Sequence, residues 1–141
     1  MAFTSARELA RTIACRVGLD VDGVLGDLLT PLLAIASDLL QRDVVVSHLQ
    51  SWALDDLFVG DEARLLPELW RRAGSPGFCR SITPYPGAAE GVAALREAGA
   101  SLFVVTSPLH DAPTWTHERE EWLKEHFGID RRHVEIGRAH V

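Results

Sequence analysis

Apolar and polar positions change period several times along this chain, and each change predicts an element. "CRVGLD" (15–20) is a short apolar run with Val17 and Leu19 on one face, read as a buried strand. "GDLLTPLLAIASDLLQRD" (26–43) places Leu28, Leu29, Leu32, Leu33, Ile35, Leu39 and Leu40 at helical intervals. Either Thr30, with Pro31 at the first helical position, or Asp27 one turn earlier could start that helix. "SHLQSWALDDLF" (47–58), capped by Ser47, and "DEARLLPELWRRAG" (61–74), carrying Leu65, Leu66, Leu69 and Trp70, predict two more short helices and no strand. "GSPGFCRSITPYPGAAEG" (74–91) is rich in Gly and Pro and reads as a hinge.

Order resumes with a helix in "GAAEGVAALREAGA" (87–100), with Ala88, Val92 and Leu95 inward and Gly99 as its stop. "SLFVVTSP" (101–108) is a continuous apolar strand, expected to be buried, that ends in Thr106, Ser107 and Pro108. "TWTHEREEWLKEHFG" (114–128) predicts a helix with Trp115, Trp122, Leu123, His126 and Phe127 on one face and Gly128 closing it. "RRHVEI" (131–136) begins a further strand. Strands alternating with helices predict an α/β fold, a parallel sheet covered by helices. Residues 1–25 and 86–135 form its core, and 26–85 enter as an all-helical insertion after the first strand.

Composition narrows the function classes. The chain has 141 residues, 47% of them apolar, which suits one domain with a real core. Its formal net charge of −6 disfavours a nucleic-acid polymer as partner, since phosphate backbones need basic clusters. A small phosphorylated substrate stays open if a metal and local donors offset the acids. Cys15 and Cys79 are too few for a disulfide framework and point to a reducing, cytoplasmic setting. No apolar stretch approaches a membrane span. "MAFTSARELARTIAC" carries Arg7, Glu8 and Arg11 where a signal peptide would be apolar, so a short helix or an extension is expected there.

The candidate chemistry starts at "LDVDGVL" (19–25). Alternation along a strand sends Asp20 and Asp22 to one side and Val21 to the other, and Gly23 lets the backbone turn sharply. Two converging carboxylates suit a hard divalent cation such as Mg²⁺, and one of them could act as a nucleophile beside an acid. Ligands of open parallel sheets bind beyond the carboxyl ends of the strands. Neighbouring strands would therefore bring the Thr106 and Ser107 hydroxyls to the same pocket, where they can donate to phosphate oxygens. Phosphoryl transfer is the implied reaction.

These residues also carry a resemblance. "LDVDGVL" followed by the hydroxyl-ended "FVVTSP" resembles the first two motifs of the haloacid-dehalogenase-like phosphatases. The ordered set "DVDGVL", "PGFCRSITPYPGA", "VVTSP" and "THEREEWLKEHFG" is similar to the 5'(3')-deoxyribonucleotidase group within them, from about Arg16 to His133. The resemblance implies a Rossmann-like sheet with a helical cap and a Mg²⁺-dependent phosphatase of nucleoside monophosphates. By it, Asp20 is the nucleophile that becomes an aspartyl-phosphate, and Asp22 is the acid and then the base. Mg²⁺ sits on the Asp20 carboxylate and the Asp22 carbonyl. Thr106, with Ser107 beside it, holds the phosphoryl oxygens. Cap aromatics, Phe78 foremost, contact the base. The partner is a small nucleotide rather than a polymer or membrane, and a homodimer is compatible with this reading.

Plainer readings exist for several of these residues. Asp27 is equally a helix cap. Thr106 and Ser107 could be turn residues before Pro108. Phe78, Trp52 and Trp70 could all be core, because aromatics usually bury for packing. Glu118 and Arg119 fit the family pattern, yet surface pairing along a helix also explains them. His110, His117, His126 and His133 show no metal-ligand spacing, and both cysteines are expected to be inert. A phospho-acceptor receiver domain would use similar acids and hydroxyls, but a compact receiver would not carry the long helical insertion. A binding-only remnant of the phosphatase fold is the remaining alternative.

The pattern breaks at the end of the chain. The family resemblance calls for a lysine and an acidic pair on a later strand, and no lysine follows His133. Ile136 to Val141 is also the translation of ATC GGA AGA GCA CAC GTC, a string found in short-read sequencing adapters. The expectation is that native coding stops near Glu135, that residues 136–141 are foreign and the later strands missing, and that the 141-residue chain is inactive.

Overall fold

The computed structural model describes residues 16–51 and 53–138. Along the chain run β1 (Arg16–Leu19), β2 (Gly26–Asp27), α1 (Leu29–Leu40), α2 (Leu66–Ala73), α3 (Phe78–Ser81) and β3 (Thr83–Pro84). There follow α4 (Ala88–Glu97), β4 (Ser101–Thr106), α5 (Trp115–Phe127) and β5 (Val134–Ile136). The main sheet has the order β1-β4-β5 and is parallel throughout, with Leu19 beside Val104 and Val104 beside Val134. The protein is thus α/β with a Rossmann-like parallel sheet. Ile136 pairs with Thr106, and the Gly137 N–H donates to the Thr106 carbonyl at 2.8 Å, so both residues continue the ladder. The N-terminal stretch with Cys15, residue Trp52 and the last three positions lie outside the described residues.

Burial along β4 is one-sided. Val104 and Thr106 are buried, whereas Val105 is 46% exposed and Phe103 only half-buried. The strand expected to be wholly buried therefore has one covered face. Val17 and Leu19 of β1 are likewise half-buried rather than buried. Among the described residues β1 is paired on one side only, which explains its partial cover.

The covered face rests on α5. Trp115, Trp122, Leu123 and Phe127 are buried there and pack with Val21, Val104 and Ile129 in one cluster. The Trp122 indole donates to the Ile82 carbonyl at 2.7 Å, which satisfies its N–H inside the core. His126, expected on the inner face, is exposed. Gly128 closes α5 in the left-handed region at φ 63°, and Arg96 of α4 donates to the carbonyls of Phe127 and Gly128.

The insertion is helical mainly at its two ends. Of the two helices expected after α1, the stretch 47–58 forms only 3-10 turns at Val46–His48 and Leu54–Leu57. A third such turn, Gly60–Leu65, leads into α2. The β-branched run Val44–Val46 and the Gly60 break leave pieces too short to propagate an α-helix. Where no strand was expected, β2 and β3 pair antiparallel across the two roots of the insertion, Gly26 with Pro84 and Asp27 with Thr83. The insertion has its own buried cluster around Ala36, Phe58 and Leu69, and Trp70 packs against it.

Candidate active site

The loop after β1 is shaped by one carbonyl. The Val21 oxygen accepts from the N–H groups of Val24, Leu25 and Gly26 at 3.1, 2.8 and 2.9 Å. Gly23 turns the chain at φ 79°, in open space, so its conformation rather than its small size requires glycine. Val21 is completely buried, which drives the flanking carboxylates to the opposite side. Asp20 and Asp22 accordingly line one cleft of about 530 Å³ with Thr106 and Ser107, at the carboxyl ends of β1 and β4. The convergence expected from the sequence is present.

Within the cleft the two acids have different surroundings. Asp20 is exposed, and its Oδ1 accepts the Val21 N–H at 2.7 Å. The Asp22 side chain is 32% exposed, and its Oδ1 accepts from Nη2 of Arg119 at 2.8 Å. Burial pushes the Asp22 carboxyl above its usual range; the Arg119 guanidinium opposes this and the nearby Asp20 charge adds to it. A carboxyl held high keeps its proton at higher pH. Thr106 is buried and Ser107 half-buried at the cleft floor. Among the described residues, the charged side chains lining the cleft are the two carboxylates.

Several residues singled out in the sequence fall elsewhere. Asp27 is a helix cap: its carboxylate accepts the Thr30 N–H at 3.1 Å and the Thr30 hydroxyl at 2.6 Å. Phe78 is not among the cleft-lining residues; it stacks on Trp115 with ring centroids 6.3 Å apart at 25°. Burial pushes the Cys79 thiol up to about 12, so it is no nucleophile at neutral pH. Among the described residues there is no group of three or more His, Cys, Asp and Glu side chains that could hold a metal.

Two residues that surface pairing along a helix could also have explained are interior. Glu118 and Arg119 are buried on α5. Arg119 reaches Asp22, and Glu118 accepts the N–H groups of Gly77 and Arg80 at 2.9 and 3.2 Å. Burial raises the Glu118 pKa, but hydrogen bonds from the Thr114 hydroxyl and those two amides outweigh it and hold the carboxyl below its usual range. The signal was in the helix period. Positions 115, 118, 119, 122 and 123 form one stripe, and its apolar members announce which way the charged ones face.

A sequence profile described as "5' nucleotidase, deoxy (Pyrimidine), cytosolic type C protein" matches residues 11–138. Proteins named "Putative 5'(3')-deoxyribonucleotidase" from two strains of Staphylococcus epidermidis are each 28% identical over 128 residues, covering 89% of this chain and 68% of theirs. With the DxDG loop and the hydroxyl-ended strand meeting in one cleft, the match over most of its length means that the chain belongs to the cytosolic type C 5' nucleotidase family, phosphoric monoester hydrolases of the 5'-nucleotidase type.

Proposed function

We propose that the protein hydrolyses nucleoside monophosphates, with 5'(3')-deoxyribonucleotides preferred, through an aspartyl-phosphate on Asp20. The observation that carries this reading is the meeting of Asp20, Asp22, Thr106 and Ser107 in one cleft. The exposed Asp20 carboxylate attacks phosphorus while the bond to the nucleoside oxygen breaks. Asp22 gives its proton to that oxygen, releasing the nucleoside. Asp22, now a carboxylate, takes a proton from water as the water oxygen attacks the phosphoryl group, which frees inorganic phosphate and restores Asp20. The Thr106 and Ser107 hydroxyls donate to the phosphoryl oxygens. The helical insertion, residues 26–85, acts as a cap over the substrate, and no helix among the described residues is long and apolar enough to cross a membrane.

The donor set fits Mg²⁺, which is commonly held by one or two carboxylates with waters and substrate phosphate completing its shell. The Asp20 carboxylate and the main-chain carbonyl of Asp22 would hold it. When bound, it would offset the negative charge of substrate and acids, which no side chain lining the cleft among the described residues offsets.

Kinetics of the complete gene product test this reading. Asp20→Asn should abolish turnover, because an amide is a poor nucleophile. Asp22→Asn should slow it by about 10²- to 10⁴-fold while sparing metal binding, the range for lost general acid–base catalysis. Deoxyribonucleoside monophosphates should be hydrolysed better than sugar phosphates of equal charge. Wild-type turnover by Asp20→Asn would overturn the mechanism.

A further inference from the structure

Arg119 makes an unusual set of contacts. It is completely buried, yet its Nε and Nη1 have no hydrogen-bond partner among the described residues. Its guanidinium carbon lies 5.2 Å from the Trp115 ring centroid and 5.6 Å from that of Trp122, so both indoles pack against the fork. The side-chain hydrogen bond it does make goes to Asp22 Oδ1. A buried cation with two idle nitrogens is costly to desolvate, and an apolar side chain would fill the same slot without that cost. Stability therefore does not account for it. The fork grips one oxygen of Asp22 and leaves Oδ2 without a protein partner among the described residues, on a side chain that lines the cleft.

We propose that Arg119 is a positioning residue that holds Asp22 in the one rotamer able to serve the leaving oxygen. This rests on the acid–base role assigned above to Asp22. Arg119 acts through Asp22 and touches no reacting atom. Its anchor is α5, which also holds the return turn of the insertion through Glu118, so one helix fixes both the acid and the root of the cap.

The test uses the complete gene product with a deoxyribonucleoside monophosphate. Arg119→Met, alone, should lower kcat about 10- to 100-fold with KM changed by no more than about threefold, and Arg119→Lys should recover part of the loss. In an Asp22→Asn background, Arg119→Met should add no more than about a twofold loss, since its effect passes through the missing carboxylate. Independently of turnover, NMR couplings should report one χ1 rotamer for Asp22 in the wild type and averaging in Arg119→Lys, which carries the test if the Met variant does not fold. Additive losses in the double variant, or an unchanged Asp22 rotamer in Arg119→Lys, would overturn the proposal. Wild-type turnover by Asp22→Asn alone would instead overturn the role assigned to Asp22, while the rotamer measurement would still judge Arg119.

Discussion

In the sheet unit, α5 buries Trp115, Trp122, Leu123 and Phe127 along one side of thirteen residues. In the insertion, the buried cluster centres on Ala36, Phe58 and Leu69, and three of its segments are 3-10 turns of three to six residues. The two regions also place charge differently. In the sheet unit a completely buried Arg119 reaches a part-exposed Asp22. The insertion joins its pieces with exposed pairs: Arg42 to Glu62 at 2.6 Å, and Arg72 to both Asp38 at 2.6 Å and Glu68 at 2.9 Å. Exposed pairs are weak and screened by salt, whereas large buried side chains are not. The contrast makes the sheet unit the rigid part that holds the chemistry. If the insertion serves as the proposed cap, it should be the part that opens at lower cost, and hydrogen exchange across α1 and α2 should then be faster than across α5.

The largest effect should come from the centre of the rigid part. Trp122→Ala removes a buried indole and its bond to the Ile82 carbonyl, and should destabilise the whole fold by about 3–5 kcal/mol. Urea unfolding followed by circular dichroism measures it. A midpoint unchanged from wild type would remove the basis for calling this region the stable one.

Leu69→Ala should cost about 2–5 kcal/mol, but locally. Hydrogen exchange should speed up across α1 and α2 while α5 keeps its protection. Loss of protection in α5 to the same extent would mean that the two regions unfold as one.

Phe78 lies where the regions meet, stacked on Trp115 at the hinge. If it also receives the base, Phe78→Ala should reduce kcat/KM for a nucleotide by the equivalent of about 1–3 kcal/mol, with a smaller loss on p-nitrophenyl phosphate. Equal losses on both substrates would confine Phe78 to packing.

The smallest effect concerns the insertion's surface charges. Hydrogen bonds from Arg71 and Arg72 hold the half-buried Glu68 carboxyl down at about 2, below its ordinary 4.5. Its depressed pKa means that its contribution is present above the unfolded value and is lost as pH falls from 4.5 toward 2. Protection of α2 should therefore weaken over that window, and molar salt at neutral pH should mimic part of the change. Asp22 runs the other way: its raised pKa favours the folded state while protonated, and that contribution fades as pH rises. Acid that loosened the cleft loop before α2 would reverse the comparison.

By itself the sequence determined the order of the main elements and the pair of motifs that make the cleft. A short apolar run with Val17 and Leu19 on one face placed β1, a continuous apolar run placed β4, and period-3.6 patterns placed α4 and α5. The DxDG loop was legible because its geometry is local, with Val21 inward and Gly23 in the left-handed region. Only the tertiary structure decided what depended on distant partners. It paired β2 with β3 across the roots of the insertion, and it broke the stretch 47–58 into turns that have no helical face to bury. It left one face of β4 uncovered, since an apolar run does not say how many neighbours it will meet. It also chose between the two readings open for Arg119 and made it the partner of Asp22, across a separation of 97 residues that no local pattern spans. Local residues thus fixed what each element is, and long-range packing fixed which charges are buried and whom they face.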